Sequence, residues 1–378
     1  MIDREEILML LDNAFNPDLR VQKEINSLIN LGYKVDLFCW DQEGKLDKFE
    51  FLEKLNITRI RVLSEKQKGL KKIFDLIKFM KLALKQISQN KTKYSFIYAH
   101  DLLMLPLGLK FKKKYNAPLI YDAHEIYHLM EWEKYPPILR KTIFFIEKFL
   151  IRRIDELIVV NKKRQQFYSK YYTKKEIQII GNWYDPYIGE KISLRERYNI
   201  PENDILISYF GVINFDERPI NKIIEKLSIK KNIHFFIAGV GKHEDKITEI
   251  AKVNNRVYYL GWQKNIRQYL SDIDLIIYYL NDKRKYFEYT APNTLYLALS
   301  HVIPLITNVP GESEELISNN NIGYFVKDVE EIDKIINFDK KDKSYLAKKE
   351  SIKQINNLFE WAENENKYKR IFSTLKQR

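Results

Sequence analysis

The chain is poor in several things that would otherwise decide its class. It has one cysteine in 378 residues, Cys39, so no disulfide can form within it and a reducing cytoplasm is the expected setting. Cys39 lies in the apolar run Val35–Trp40, where a buried strand thiol is expected rather than a reactive one. No uncharged stretch reaches the ~18 residues a membrane-spanning helix needs. The opening MIDREEILMLLD is acidic before a short apolar run and lacks the basic start of a secretory leader, so none is expected. Glycine and proline number only 12 and 11, which excludes collagen-like and low-complexity classes.

What is present describes a folded, two-domain protein. The composition is 45% hydrophobic and 30% charged, and the length exceeds the ~100 to 200 residues usual for one domain. The net charge of +13 is unevenly placed, because residues 51–153 hold 22 Lys/Arg against 9 Asp/Glu. A basic face on the first domain follows, suited to an anionic lipid surface, a nucleic acid or an anionic substrate. The window shows no recognition-helix or RNA-binding sheet motif, so nucleic acid is not expected as a partner.

Short β-rich apolar runs alternate with helical patterns. EILMLLD, the helical spacing from Val21 to Leu31 and KVDLFCW open a series of strands: TRIRVL near 58–63, FIYAH at 96–100, PLIYDAH at 118–124, ELIVVN at 156–161 and IQIIGN at 177–182. Helices are expected at Pro106–Lys114 and 138–153. After the polar stretch KISLRERYNIPEND the pattern restarts with ILISYFG, IHFFIAG, RVYYLG, LIIYYL and IPLIT, separated by helices near 219–228, 243–252 and 293–300. Alternation of this kind predicts parallel sheets covered on both faces. The expected fold is α/β, with two Rossmann-like domains and a cleft between them: residues 1–185 on the acceptor side, residues 186–355 on the donor side, and a last helix over 356–378 packing back on the first domain.

Several segments carry residues suited to a phosphate-bearing ligand. YDAHE puts Asp122, His124 and Glu125 at the C-terminal edge of a strand, where open α/β sheets bind ligands; a lone His there would be read as a loop cap, but GNWYD supplies a second polar loop with Asn182. Arg218 in FGVINFDERP, a short loop after Gly211, either reaches a diphosphate with its fork of donors or stands on a solvated helix start. Gly239 and Gly241 in GVGK permit close approach to a ligand or make a simple turn. In TAPNTLYLALSHVIPLITN, Pro292 opens a helix whose first amides, at Asn293, Thr294 and Leu295, form a potential anion site. Asp272 and Asp274 are the one acidic pair spaced for a divalent cation, and a structural turn is the preferred account of them, so no metal is expected.

The order of these segments resembles glycosyltransferase family 4 and its near relatives, retaining enzymes of the GT-B fold. Residues 12–31, with Asn13 and Arg20, resemble the family's opening loop and first helix, and IYAHD and YDAHE its central strands. GNWYD stands at its Pro-Asn-Gly-Val-Asp loop, and residues 290–306 at its donor helix, Pro-Asn-Lys-Leu-x-Glu-Ala-x-Ala-x-Gly-x-Pro-Val-Ile. The resemblance implies that His124 lines the sugar pocket, that Arg218 neutralises the donor diphosphate, and that the 293 helix binds phosphate through its backbone. There are departures. The family's paired glutamates fall on Tyr289 and Leu297, with Glu288 one position off; its first-loop glycines are replaced by Asp12-Asn13-Ala14-Phe15, its Gly before the last strand by Val302, and the basic residue after Asn293 by Thr294.

The resulting expectation is a cytoplasmic, metal-independent hexosyltransferase without a cofactor, moving sugar from a nucleoside diphosphate sugar to a glycan or lipid-linked acceptor in surface polysaccharide or glycoconjugate synthesis. A non-catalytic sugar-nucleotide or glycan-binding subunit and a sugar-nucleotide epimerase are the rivals. Residues 69–90 are expected to form a basic amphipathic helix, with Leu70, Ile73, Phe74, Ile77, Met80, Leu84 and Ile87 as its stripe and Lys71, Lys72, Lys78, Lys81 and Lys85 elsewhere around it. Burial of that stripe in its own core is expected, with a peripheral contact to an anionic membrane, shared with ILRKTIFFIEKFLIRR, as the alternative.

Overall fold

The computed structural model describes residues 5–16, 18–64, 70–130, 136–172, 176–228, 230–281, 285–336 and 339–377. The chain divides into two compact units, Met1–Ile180 with Glu365–Arg378, and Gly181–Asn364. The division falls at 180/181 rather than 185/186 for a local reason. Ile180 is buried and donates its N–H to Val159 O, whereas the Gly181 backbone exchanges two hydrogen bonds with the Asn364 side chain.

The first unit contains β1 (Glu6–Leu11), α1 (Leu19–Asn30), β2 (Lys34–Asp41), β3 (Phe49–Phe51), β4 (Leu55–Arg61), α2 (Leu70–Gln89), β5 (Phe96–His100), α3 (Asp101–Tyr115), β6 (Leu119–Ala123), α4 (Pro137–Ile151), β7 (Glu156–Val159), α5 (Lys162–Ser169) and β8 (Gln178–Ile179). Its strands lie in the order β3-β4-β2-β1-β5-β6-β7-β8, all parallel except the hairpin of β3 with β4. The central strands are buried on both faces, as helix-covered parallel strands must be, and are apolar apart from Glu6 at the start of β1, His100 at the end of β5 and Asp122 near the end of β6. Strand order reverses between β1 and β5, the switch point at which such sheets hold ligands.

The second unit contains α6 (Leu194–Tyr198), β9 (Ile205–Phe210), α7 (Ile220–Ser228), β10 (Ile233–Ala238), α8 (Glu244–Val253), β11 (Val257–Tyr259), β12 (Leu275–Tyr278), α9 (Asn293–Ser300), β13 (Leu305–Thr307), α10 (Glu312–Asn320), β14 (Gly323–Phe325), α11 (Ile332–Ile335) and α12 (Lys343–Ile355). Its parallel sheet runs β11-β10-β9-β12-β13-β14 and reverses between β9 and β12. A final helix, α13 (Trp361–Lys376), returns the chain to the first unit at Glu365.

Three expectations about helices are corrected. The helix expected from Pro106 begins at Asp101, and Pro106 sits inside it, where it forgoes one hydrogen bond, to Leu102 O, while the buried Leu102, Met104, Leu105 and Leu107 around it hold the first turns against the sheet. The segment read as one helix over 356–378 begins as a 3-10 turn, Asn356–Phe359, with α13 starting only at Trp361. Phe359 is held there, its carbonyl accepting from Tyr184 N at 3.2 Å and its ring lying edge-on to Trp183. In α2 the buried residues are Phe79, Ala83 and Ile87, while Ile73, Phe74 and Ile77 face solvent. The expected stripe is thus split, with Ile87 buried and Met80 and Leu84 half-buried but Ile73, Phe74 and Ile77 exposed, because the helix is apolar on two faces; Gly69 lies outside the described residues. Among the described residues, no helix is long and apolar enough to cross a membrane.

Candidate active site

At the switch point of the first sheet, α1 and the ends of β5 and β6 converge on one buried polar cluster. Arg20, on the first turn of α1, directs Nη2 to both oxygens of Asp122 (3.0 and 3.1 Å) and Nη1 to Ile180 O at 2.7 Å. Its Nε lies 3.0 Å from Glu24, one turn further along α1. His124 Nε2 is 2.8 Å from Asp122 Oδ2 and 3.2 Å from His100 Nδ1. Burial, which alone would lower the His124 value, is outweighed by the charges of Asp122 and Asp101, and it rises to about 10. Burial likewise fails to raise Asp122, because Arg20 and His124 hold its carboxyl well below the usual range.

Both directions favour a charged pair of His124 with the Asp122 carboxylate. Arg20 Nε lies 3.1 Å from His124 Nε2 and 3.0 Å from Glu24 Oε1, and a proton on that His124 nitrogen would leave Glu24 as the acceptor facing Arg20. His100, fully buried beside a charged neighbour, is lowered to about 3, by burial first and His124 second. Glu24 is raised, by burial and then by Asp122.

Loops anchor the cluster. Asp101 has φ +61°, a backbone that Asp tolerates better than most side chains, and its Oδ1 accepts from Glu125 N at 3.1 Å. Glu125 pairs with Arg164 of α5 at 3.1 Å. Asn13 folds its own loop, accepting from Phe15 N and donating to Asp18. Thus Arg20, Asp122 and His124 come together, whereas Asn13 and Glu125 support the surrounding loops. Sequence reasoning missed Glu24, His100 and Asp101. IYAHD and YDAHE end adjacent strands with the same His and Asp pairing, and Arg20 and Glu24 stand four apart, which were the available signals.

Ligand atoms of Glu24, His100, Asp122 and His124 lie within 4.8 Å of one another, the spacing of a metal site. The Arg20 guanidinium already supplies a positive charge to these groups, so a divalent cation would have to displace it. The other acidic pair is engaged structurally. Asp272 accepts from Ser193 Oγ (2.8 Å) and Arg195 N (3.0 Å), and Asp274 from Leu206 N (2.9 Å) and Arg195 Nη2 (3.1 Å).

In the second unit, the remaining candidates lie along the C-terminal edge of the sheet. Gly211 and Gly239 end β9 and β10, and a Cβ on Gly239 would stand 1.9 Å from Gly211 O. The backbone proximity that glycine permits there joins two loops of the protein to each other. Gly241 packs in the same way on Ile213. Arg218 ends the β9–α7 loop at the switch point; its Nη1 donates to Val212 O at 3.2 Å, its guanidinium lies 5.9 Å from the Tyr278 ring of β12, and its Nε is buried without a hydrogen bond. Sequence reasoning missed Tyr278, whose strand reads as ordinary core.

α9 begins at Asn293 behind Pro292. Asn293 is exposed, Thr294 and Leu295 are buried, and the Leu295 N–H already donates to Pro292 O at 3.0 Å. Asn182 donates to Ala291 O at 3.1 Å, fastening the 181–185 loop beside this start. Glu288 and Tyr289 lie on a 3-10 turn before it, Lys285–Tyr289. Leu297 is buried.

Residues 20–187 match the model of glycosyltransferase family 4, and residues 217–338 that of the glycosyl transferases group 1. Among solved structures, the chain is similar to sucrose-phosphate synthase from Thermosynechococcus elongatus, with 15% identity, a TM-score of 0.72 and coverage of 98% of this chain and 99% of that one. It is similar to HepE from Anabaena in complex with UDP and glucose, at 16% identity and TM-score 0.68, covering 97% and 99%. A third is the UDP-forming α,α-trehalose-phosphate synthase from Burkholderia vietnamiensis, at 7% identity and TM-score 0.65, covering 99% and 100%. These structures share the GT-B fold with this chain. No curated protein sequence matches it significantly.

Proposed function

Because this chain belongs to the glycosyltransferases of family 4 and group 1, we propose that it moves a sugar from a nucleoside diphosphate sugar to a glycan or glycolipid acceptor, with retention at the anomeric carbon. Surface polysaccharide or glycoconjugate synthesis at the inner face of the plasma membrane is the setting that suits such an acceptor. One observation carries the donor assignment: Arg218 stands at the switch point of the second sheet with a buried guanidinium nitrogen that makes no hydrogen bond. As the bond between anomeric carbon and diphosphate oxygen breaks, negative charge grows on the leaving diphosphate. Arg218 and the first amides of α9, at Asn293 and Thr294, would stabilise that charge without a metal ion. In the first unit, His124, held as an imidazolium by Asp122, would position a sugar hydroxyl.

Calorimetry tests the donor site. UDP or GDP should bind far better than the corresponding nucleoside, and Arg218→Ala should weaken the nucleoside diphosphate by roughly 1.5 to 3 kcal/mol, the range of a charge-assisted contact. Equal affinity for nucleoside and diphosphate would sink the phosphate assignment. Release of nucleotide from a panel of nucleotide sugars, beginning with UDP-glucose in view of HepE, separates an enzyme from a binding subunit.

A further inference from the structure

An arginine side chain loses much rotamer freedom when it is fixed on a ligand, so a guanidinium that must meet a diphosphate gains from being held in advance. What holds Arg218 lies within the second unit. Its backbone closes the β9–α7 loop, with Arg218 N donating to Asn214 O at 2.8 Å and Arg218 O accepting from Ile220 N at 2.7 Å. One anchor of this loop is His243, whose Nδ1 accepts from Phe215 N at 3.0 Å and whose ring stacks on Phe215 with centroids 4.8 Å apart. The other is the segment 278–281, which leaves the C-terminal end of β12, the neighbour of β9 across the switch point. Asn281 N donates to Glu217 O at 2.7 Å, and Asn281 Nδ2 donates to Phe215 O and Asp216 O at 3.3 and 3.2 Å. One residue thus binds the three successive carbonyls that precede Arg218.

The guanidinium itself is held by gentler contacts. Its Nη1 donates to Val212 O at 3.2 Å, and that carbonyl also accepts from the buried Tyr209 hydroxyl at 2.7 Å. The Tyr278 ring centroid lies 5.9 Å from the guanidinium carbon, within the range of cation–π attraction. A ring face attracts a cation without engaging its planar fork of donors as a carboxylate does. The Nε of Arg218 accordingly stays buried without a hydrogen bond. Orientation is provided while donors that a diphosphate would use are kept in reserve.

We propose that Tyr278 and Asn281 are positioning residues for Arg218, Asn281 by clamping the loop backbone and Tyr278 by confining the guanidinium. The proposal rests on the donor reading of Arg218 and gives neither residue a contact with the nucleotide or the sugar. Calorimetry of the full chain with UDP and with GDP tests it as a double-mutant cycle. Tyr278→Leu and Asn281→Ala should each weaken the nucleoside diphosphate about two- to fivefold. Tyr278→Phe, which keeps the ring, should recover most of that loss. In an Arg218→Ala background neither Tyr278→Leu nor Asn281→Ala should weaken binding further, because the group they orient is gone. Losses that persist in that background overturn the positioning role, since the two residues would then act on the ligand or on the fold directly. Full affinity in Tyr278→Leu and Asn281→Ala beside a weakened Arg218→Ala overturns it as well and leaves the donor site standing. A wild type that binds neither UDP nor GDP, or an Arg218→Ala variant that binds them unchanged, removes the donor reading and this inference with it.

Discussion

Glu147 illustrates how one buried group makes stability depend on pH. Its Oε1 accepts from Tyr168 at 2.7 Å and Tyr121 at 3.0 Å, yet burial outweighs these bonds and pushes the carboxyl up to about 7. The folded protein therefore holds this proton more tightly than the unfolded chain does. Its contribution is fully present below pH ~4.5 and is lost as pH rises to about 7. Glu147→Gln, which does not titrate, should be more stable than wild type at pH 8 by about 2 to 3 kcal/mol and nearly equal at pH 4; parallel curves from urea unfolding would refute the argument. Val302 offers a second test, since its φ is +57°, a conformation costing a side chain ~1 to 2 kcal/mol. Val302→Gly should gain about 1 kcal/mol net of glycine's entropy, seen as a rise in Tm. The sequence shows a valine where the resembling family has glycine, but only the dihedral angle shows why glycine belongs there. Legibility at this scale was uneven: His124 and Asp122 stand out as polar residues ending a strand, whereas Glu24 looks like any acid on an amphipathic helix until the fold brings its carboxylate within 3.9 Å of His100 at the end of β5.

Elements were legible in type more than in phase or extent. Strands such as FIYAH are continuous apolar runs closed by polar residues, and burial on both faces leaves no phase to choose. α2 offered two apolar faces, and its neighbours in the fold decided between them. β3 was missed because a three-residue edge strand with Phe49 and Phe51 exposed has no run long enough to register. The turn between the 3-10 segment Ile266–Asp272 and β12 is a case in which acidic spacing had a structural meaning. Asp272 holds the start of α6, and Asp274 pins Arg195 and the start of β9. Sugar transfer should therefore survive EDTA. Complete loss restored by Mg or Mn would return attention to the Glu24, His100, Asp122 and His124 cluster, where the ligand atoms are close enough for an ion.

At the scale of the whole molecule, the first unit is built from two separated pieces of chain. Tyr368, Ile371, Phe372 and Leu375 of α13 are buried in it; Tyr368 faces the Tyr98 hydroxyl at 3.2 Å, and Phe372 packs on Tyr33 and Phe96. Removing residues 365–378 should cost several kcal/mol, because four buried side chains are lost at once. Circular dichroism should show a lower-melting or already unfolded first unit, and an unchanged melting profile would contradict this assignment of α13.

The sequence by itself determined the fold class, the presence of two domains and the family, because alternation of apolar strands with amphipathic helices is a local pattern and the order of motifs survives low identity. Tertiary structure alone decided that Arg20, Glu24, His100, Asp122 and His124 form one cluster, that the chain changes unit at 180/181, and that α2 turns Phe74 outward. Each of these depends on which residues distant in the chain become neighbours. Proton positions and helix phase are set by those neighbours, through burial and charge at distances of a few ångströms, and no local window of sequence contains them.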